Sequence, residues 1–485
     1  MPRAKAQCFL LLVLSLGPLT IAAQPQNPTE PENVKRQLYA AVNAGDAQKF
    51  ASLIDRVGQK ERDEFLLYVL SQSKQQPLEI VRTLIEKGAN VNQPSRYKTA
   101  LMHAASAGYT EIVVLLLAKG AQVNVKTDEG TPLMEAVHGA HTQIMKLLLA
   151  AGADVNTVHR TGDQVLIMAA RQRNYNKPSS EPNAEVVKLL LDHGADPNFK
   201  AQFGHTALMS ANTAAKVKLL VAKGAEVDAK DEDGQTALMH AASRGAPEVV
   251  TALLDSGANV NATDNEGLNA LLYSLDDENL AHGEESKTLP ARRSEVARRI
   301  LLTRNVDVNA PNNAGETPLT RAVTLENVEI IKALVAKGAD PNRSDKFGNT
   351  PVILAYEKGN AEMEKVLPAA SLKVRPEVLN AFLRAAIAKK DEAKVKELLA
   401  AGADPNHEYP IDYSHKSIKQ TVLILAASMG HTGIVQLLLD KGANVNATGL
   451  LYGSESGLKY GTALEAAELS KHAEVAALLR MVRPD

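Results

Sequence analysis

Apolar residues recur along most of the chain in pairs of short clusters separated by glycine. Residues 230–261, KDEDGQTALMHAASRGAPEVVTALLDSGANVN, show the pattern. The apolar positions of the two clusters are Leu238, Ala241, Ala242, Val249, Val250, Leu253 and Leu254. Both clusters have the spacing of one face of a helix, and the alanines of the first let neighbouring helices approach closely. The pattern therefore predicts two short amphipathic helices in this segment.

Turn and cap residues mark the borders of these helices. Asp231 and Gly234 lie in a polar turn, and Thr236 is placed to cap the first helix with its hydroxyl. Gly245 ends the first helix, and Gly257 ends the second in the left-handed conformation common at helix ends. The segment is thus predicted to form a helix, a turn, a second helix and an extended finger.

The same segment recurs along the chain. The phrase Gly-Ala-x-x-Asn, or a close variant, ends at Asn92, Asn124, Asn156, Asn198, Asp228, Asn261, Asn309, Asn342, Asn406 and Asn446. One period of 32 to 33 residues explains the spacing, with one double interval and three intervals lengthened by insertions. With caps at 34–58 and 447–480, residues 34–480 form about 13 repeats, and 481–485 remain as a tail.

These motifs resemble the ankyrin repeat. Thr-Pro-Leu begins at Thr131 and Thr317, and Thr-Ala-Leu at Thr99, Thr206, Thr236 and Thr462. The resemblance implies an all-α solenoid of stacked helix-turn-helix units with short β-hairpin fingers. It also implies a long concave surface that binds a protein or peptide partner. The family usually has His after the leucine, whereas this chain has Met102, Met134, Met209 and Met239, so thioether packing replaces a hydrogen-bond network there.

The amino-acid composition indicates which residues form the core and which partners the protein can bind. Of the 485 residues, 45% are apolar and only 4% are aromatic, with no Trp, so the core is expected to consist of thin aliphatic layers. The net charge is −2, from 54 basic and 56 acidic residues spread through the chain. Nucleic acid is therefore not expected as a partner, because its phosphates require a basic surface.

The N-terminus is interpreted as a cleaved signal peptide at 1–23. Arg3 and Lys5 precede an apolar stretch and a small-residue cleavage site. A membrane anchor is the alternative, but Gly17 and Pro18 interrupt the stretch before the roughly 20 residues of a span. No integral span is thus expected after cleavage. Residues 24–33, QPQNPTEPEN, are predicted to be a disordered Pro-rich tether before a fold that begins near residue 34.

Cys8 is the only cysteine, so the mature chain is expected to have no disulfide, thiol nucleophile or thiolate metal site. Export without disulfides favours the bacterial periplasm, with release to the exterior as the alternative. The protein is accordingly interpreted as an exported member of the family, of the bacterial periplasmic type and monomeric. A weak joint is expected at 368–376, where a recognisable finger is missing.

Candidate recognition residues lie at predicted finger tips, where the repeat framework does not fix the side chain. They are Phe203, Phe347, Arg96 and Tyr97. Exposed aromatic rings and Arg are common interface anchors. The alternative is that each ring folds back onto a neighbouring finger.

Two insertions in the last fingers are stronger candidates. Residues 407–420, HEYPIDYSHKSIKQ, and 448–460, TGLLYGSESGLKY, carry Tyr409, Tyr413, Tyr452 and Tyr460. Long loops on a rigid scaffold are often functional. The alternative is that they pack on each other to shield the C-terminal end. The other insertions, at 171–183 and 274–294, are mostly polar and are predicted to be solvated loops.

Enzymatic and metal sites find little support in the sequence. HExxH, GxSxG, the Walker loop and the dinucleotide glycine run are absent, and no cofactor is expected. His138 and His141 have a spacing compatible with metal ligation, but the resemblance makes His141 a framework residue and no third ligand is apparent. Three hypotheses remain: a periplasmic scaffold, a secreted effector that binds a target in another organism, and an enzyme with an unrecognised site.

Overall fold

The computed structural model describes residues 30–72, 77–93, 97–172, 184–276, 284–346, 348–367, 376–410, 419–451 and 459–482. They fall into two compact units, residues 1–153 and residues 154–485. Both units consist of stacked pairs of short helices. The joint predicted at 368–376 lies almost wholly outside the described residues, as does the signal peptide at 1–23.

The N-terminal unit contains eight α-helices and one short 3-10 helix, Ile54–Arg56, within its described residues. The α-helices are α1 (Glu30–Ala44), α2 (Ala47–Leu53), α3 (Gln59–Gln72), α4 (Leu78–Glu86), α5 (Ala100–Ala107), α6 (Thr110–Ala118), α7 (Pro132–His138) and α8 (Thr142–Ala150). The tether prediction for 24–33 is corrected here, because α1 already begins at Glu30. Pro31 is compatible with a first helical turn, where its missing N–H has no intrahelical acceptor. Among the described residues, Val34 is nevertheless the first that is buried.

The C-terminal unit contains the remaining α-helices of the described chain and one short 3-10 helix, Gln202–Gly204. The α-helices are α9 (Val165–Arg171), α10 (Ala184–Asp192), α11 (Ala207–Ser210), α12 (Ala214–Ala222), α13 (Ala237–Ser243), α14 (Pro247–Asp255), α15 (Ala270–Tyr273), α16 (Glu284–Leu301), α17 (Pro318–Thr324), α18 (Val328–Ala336), α19 (Pro351–Lys358), α20 (Ala361–Val366), α21 (Pro376–Ala388), α22 (Glu392–Ala400), α23 (Val422–Ser428), α24 (Thr432–Asp440), α25 (Ala463–Leu469) and α26 (Ala473–Val482). Within each unit, first helices pack on first helices and second helices on second helices, as α13 packs on α15 and α12 on α14.

Each repeat follows the layout that the sequence predicts. Thr99 caps α5, with its hydroxyl oxygen accepting the amide of Met102 at 3.3 Å. Gly108 ends α5 in the left-handed region, at a φ of 79°. The four methionines that replace the family's histidine are all buried, and the sulfur of Met239 accepts the amide of Thr236. The layers between helices are mainly Leu, Val, Ile, Met and Ala, as the low aromatic content indicates.

The asparagine that ends a repeat ties it to the following turn. Asn198 donates its side-chain amide to the carbonyl of Gly224 at 2.8 Å, and its side-chain oxygen accepts the amide of Glu226 at 2.8 Å. Asn92, Asn156, Asn261, Asn309 and Asn406 make the same pair of contacts. Asp228 takes this place once, and it accepts the amide of Asn259. The recurrent Asn is therefore a register device between consecutive repeats.

A second set of contacts caps the C-terminal ends of the first helices. Donor side chains of the next repeat reach the last carbonyls of the preceding first helix, which lack partners within that helix. These contacts join His141 to Ser106, Lys216 to Ala169, Ala170 and Gln172, Arg244 to Met209 and Ala211, Arg293 to Ser243, and His472 to Ser428. These contacts between repeats thus give hydrogen-bond donors to main-chain carbonyls that packing alone would leave without a partner.

The interpretation of 274–294 as a solvated loop is wrong for its second half. Helix α16 already begins at Glu284 and continues for 18 residues, and Leu289 is buried. Arg293 is 3% exposed and donates to the carbonyls of Ser243 and Asp276. The second half of the insertion therefore lengthens a helix. The guanidinium of Arg293 is one of the donors that cap the preceding first helix. In the insertion at 171–183, residues 173–183 lie outside the described chain.

The fingers are mostly turns joined by single main-chain hydrogen bonds. The amide of Glu232 donates to the carbonyl of Phe203, and that of Asn265 to the carbonyl of Asp233. Within the described residues, paired strands occur only in the last two fingers. There β1 (Glu408–Pro410) pairs with β2 (Lys419–Thr421), and β3 (Gly449–Leu451) with β4 (Lys459–Gly461), both antiparallel. The predicted hairpin fingers are thus confirmed as strands only there.

A search of the described helices for a bilayer crossing found none that is both long enough and apolar enough.

Candidate protein-binding surface

One position of the first helix changes its type of side chain from each repeat to the next. It follows the buried Met or its equivalent directly, and we call the set the inner-helix column. Its members are His103 and Glu135 in the N-terminal unit, and Met168, Ser210, His240, Tyr273, Arg321, Leu354, Arg384 and Leu425 in the C-terminal unit. The flanking positions are repeatedly Leu, Ala or Met and are buried. The framework thus fixes its neighbours and leaves this position variable.

Most members of the inner-helix column are half-buried, so they present part of a side chain at the surface. Glu135 and Ser210 are the buried members, at 6% and 5% exposure. Half-buried side chains with fixed rotamers lose little entropy when a partner covers them. The column therefore has the chemistry and exposure of a recognition surface.

Finger carboxylates hold two members of the column in place. The Oδ2 atom of Asp231 accepts from Nε2 of His240 at 2.8 Å, and Oδ2 of Asp264 accepts from the hydroxyl of Tyr273 at 2.7 Å. In both fingers the Oδ1 atom accepts main-chain amides two and four residues later. Each carboxylate therefore orients its own turn and, nine residues later, a side chain of the column.

Burial changes the pKa of several of these groups. Burial first, and then the hydrogen bond to Asp264, raise the pKa of the Tyr273 hydroxyl. Burial lowers the pKa of His103 and of His240. Burial, together with the neighbouring His240, lowers the pKa of His205 to about 4. These groups are therefore neutral near pH 7, because the environment disfavours their charged forms.

Ion pairs fix the charged members of the column. Lys98 Nζ lies 2.7 Å from Glu135 Oε2, and these side chains are 24% and 7% exposed. Arg321 lies 3.1 Å from Glu316 and 3.4 Å from Asp276. These contacts limit the number of rotamers, so the charge that each repeat presents is set before a partner binds.

A further arginine of the column supports an aromatic residue of the last fingers. Arg384 donates to the side-chain oxygen of Asn349 at 2.9 Å. Its guanidinium lies 5.4 Å from the ring centroid of Tyr409, which is within the range of a cation–π contact.

Two of the four finger-tip candidates are exposed in the structure, and the other two lie outside the described residues. Phe203 is 66% exposed and Tyr97 is 58% exposed, so both rings are accessible. Phe203 has a φ of 60°, which is unusual for a bulky residue, and its finger is held by the hydrogen bond from Glu232. Arg96 and Phe347 lie outside the described residues. A binding role for these four residues stays a prediction.

Tyr409, a candidate for partner binding, is buried and has structural contacts within the last fingers. It is 9% exposed, and its hydroxyl donates to Gln420 Oε1 at 2.5 Å. Gln420 in turn donates from Nε2 to the carbonyl of Leu450 at 2.8 Å, which joins the two hairpins. Tyr409 and Gln420 meet because the register of the hairpin places them opposite each other. The stems of the two insertions therefore pack on each other, as the alternative interpretation expected.

Tyr460 remains accessible, because it is 57% exposed on β4 opposite Leu450. Tyr413 and Tyr452 lie in the outer parts of the two insertions, outside the described residues. Of the four tyrosines proposed for partner binding, the structure thus shows one exposed and one buried.

His141, one of the two histidines with a spacing compatible with metal ligation, has a framework role in the structure. His141 lies at the N-cap of α8, and its Nε2 atom is 3.2 Å from the carbonyl oxygen of Ser106. His472 has the equivalent contact with Ser428, at 3.1 Å. The imidazole of His141 is therefore engaged in inter-repeat capping.

Sequence analysis missed the inner-helix column, although a signal for it was present. Each member directly follows the Met or equivalent residue that departs from the family pattern. Comparing that next position across repeats within this one chain would have revealed the change of chemistry. The convergence of His205, Asp231 and His240 was also missed, since they lie 26 and 9 residues apart in sequence.

Comparison with protein families agrees with this architecture. A family model described as ankyrin repeats in three copies matches residues 38–127, 179–264, 291–375 and 382–484, and a single ankyrin repeat model matches 129–160. These matches cover well over half of the chain. The protein is therefore an all-α repeat protein, and it belongs to the ankyrin repeat family. Ankyrin repeats generally mediate protein–protein interactions and are generally non-enzymatic.

One curated relative shares a segment of this repeat region. An ankyrin repeat and KH domain-containing protein of Caenorhabditis briggsae is 32% identical over 149 residues. The match covers 30% of this chain and 5% of the relative. The chain thus spans a small fraction of that protein's length, and the likeness concerns the repeats.

Proposed function

We propose that this protein is a non-catalytic scaffold that binds a protein or peptide through its inner-helix column and its exposed finger tips. The observation that carries the proposal is the column itself: a position that is half-buried in most repeats changes chemistry from one repeat to the next, while the positions on either side of it stay buried and mostly apolar. Side chains of different chemistry at the same position of successive repeats let the array distinguish between partners. Membership of the ankyrin repeat family supports the same function.

We further propose that the protein is exported to the periplasm and acts there as a monomer. The support is in the sequence: a basic start and an apolar stretch in residues 1–23, and a single cysteine in the whole chain. Fractionation of the producing cells, with peptide mapping of the mature N-terminus, tests export. Sedimentation of the purified protein tests the monomeric state.

The binding proposal is tested by affinity capture from the envelope extract of the producing cell, with three matched variants. The column variant replaces Met168, Leu354 and Leu425 with Ala, and the tip variant replaces Tyr97, Phe203 and Tyr460 with Ala. The control replaces Lys218 and Lys332, which are exposed on second helices, with Ala.

We expect a partner that the parent and the control capture and that the column variant, still folded by circular dichroism, loses. Loss in the tip variant alone would place the site on the fingers. Equal capture by all variants would contradict the surface proposed here. Capture only from extracts of another organism would favour the secreted effector.

A further inference from the structure

Three potential metal ligands converge between two consecutive repeats of the C-terminal unit. His205 follows the finger that carries Phe203, Asp231 begins the next finger, and His240 lies on α13 in the inner-helix column. The ligand atoms of these three residues all lie within 4.8 Å of one another, and all three side chains are half-buried. No other such group occurs in the described part of the chain.

Each of the three side chains is already oriented by its surroundings. Asp231 accepts the amides of Asp233 at 3.1 Å and Gln235 at 2.8 Å through Oδ1, which leaves Oδ2 directed at His240. His205 lies 3.0 Å from the hydroxyl of Ser210 through Nε2. Hydrogen bonds of this kind around a ligand set its direction and strengthen metal binding.

The two imidazoles lie edge to face, with centroids 5.1 Å apart and an interplanar angle of 83°. One nitrogen atom of each ring and one carboxylate oxygen of Asp231 lie within 4.8 Å of one another, so the three atoms border a common space. The donor set is two nitrogen atoms and one oxygen atom, which suits zinc and neighbouring divalent transition metals better than the oxygen-seeking Mg²⁺ or Ca²⁺.

We propose that His205, Asp231 and His240 bind one divalent transition-metal ion of the zinc class and that the ion links two consecutive repeats. A fourth position is left to water. The function proposed above does not require this site, and the site does not require a protein partner.

The geometry needs only side-chain adjustment to accept the ion. Zinc bonds of about 2.0 Å in a tetrahedral site separate the ligand atoms by about 3.3 Å. The largest distance between two of the ligand atoms must therefore decrease. The 2.8 Å distance between His240 Nε2 and Asp231 Oδ2 must increase as the ion takes the place of the proton between them. The proton that Nε2 of His240 donates to Asp231 can move to Nδ1 of the same ring, so Nε2 can present its lone pair to the ion.

Two arginines set an upper limit on the affinity. Arg171 and Arg244 are close enough to His205 to lower its pKa by charge repulsion, and they oppose a bound cation in the same way. Arg171 is 3.3 Å from Asp163, and Arg244 donates to the carbonyl of Met209 at 2.9 Å, which compensates part of their charge. We therefore expect weaker binding than in a closed four-ligand zinc site.

The test titrates untagged protein with Zn²⁺ in a calorimeter and records the absorption spectrum of Co²⁺ added in its place. The site variants are His205→Gln and His240→Gln, because Gln keeps a polar group of similar length and is a poor ligand. The control is His103→Gln, which lies in the same column without the other two ligands.

We expect one Zn²⁺ per chain, with binding at least about tenfold weaker in each site variant and unchanged within about twofold in the control. Zn²⁺ should also raise the melting temperature of the parent and not that of the site variants. Co²⁺ should give the intense visible bands of a tetrahedral site.

Absence of stoichiometric binding, or binding that both site variants retain, would overturn the proposal. Unfolding in the presence of a chelator checks that each variant is folded. His205 lies outside the helices, so His205→Gln decides the matter even if His240→Gln destabilises α13.

Discussion

The ammonium group of Lys216 lies 2.9 Å from the main-chain oxygen of Gln172, in the preceding repeat. Lys216 is fully buried and also donates to the carbonyls of Ala169 and Ala170 and to Oδ1 of Asn212. It occupies the position at which the next repeat has Val249, a residue of the aliphatic core. The buried cation thus caps the C-terminal end of α9, where the helix dipole favours positive charge.

Replacing this lysine should weaken the C-terminal unit. Lys216→Ala removes the donor from three main-chain carbonyls and leaves a cavity at a fully buried position. We expect the free energy of unfolding to fall by about 3 kcal/mol. Urea denaturation measures the change. Lys218→Ala, on the exposed side of α12, is the matched control and should change stability by less than about 0.5 kcal/mol.

The same lysine should make stability depend on pH. Burial lowers the pKa of Lys216 from 10.5 to about 8, so between these values the unfolded chain binds more protons than the folded one. The contribution of Lys216 to the free energy of unfolding should therefore rise by about 3 kcal/mol in total as the pH increases across that window. Below the window this contribution should be constant.

The comparison variant for this pH effect is Lys216→Met, which keeps a long side chain and does not titrate. Urea denaturation of both proteins near pH 8 and near pH 10.5 isolates the contribution of Lys216. Parallel curves for the two proteins would show that Lys216 has the same pKa folded and unfolded.

The asparagine that ends a repeat should contribute through two separable hydrogen bonds. Asn198→Ala removes the donor to Gly224 and the acceptor for Glu226, and we expect a loss of about 2 kcal/mol. Asn198→Asp keeps the acceptor, as Asp228 does naturally, and should lose about half as much. Equal losses in the two variants would mean that the donated hydrogen bond carries the whole effect. Chemical denaturation measures both.

Replacing the buried and the exposed tyrosine of the last fingers should have different effects on stability. Tyr409→Ala removes a buried ring and its hydrogen bond to Gln420, so we expect a loss of about 3 kcal/mol. Tyr460→Ala, at an exposed site, should change stability by less than about 0.5 kcal/mol. Thermal unfolding compares the two. A large effect at Tyr460 would show that its ring is part of the hairpin packing.

Helix positions were predictable because they depend on neighbours close in sequence. Thr236 and Gly257 lie at the predicted helix borders, since caps and left-handed glycines act within one turn. The predicted cap hydrogen bond from the Thr236 hydroxyl is wrong, because that oxygen has no partner and the amide of Thr236 instead donates to the sulfur of Met239. Polar segments were harder. Residues 30–33 and 284–294 contain prolines and charges that suggested a tether and a loop, yet both are helical because packing of later residues extends α1 and α16.

The sequence by itself determined the ankyrin-repeat architecture and the aliphatic core, because both follow from a single period and from side chains close in sequence. The tertiary structure decided which side chains from different repeats meet. Lys216 becomes a cap only because the end of α9, 44 residues earlier, packs against it. His205, Asp231 and His240 converge only because consecutive fingers stack. Contacts of this kind depend on the rise and rotation from one repeat to the next, which no local pattern encodes.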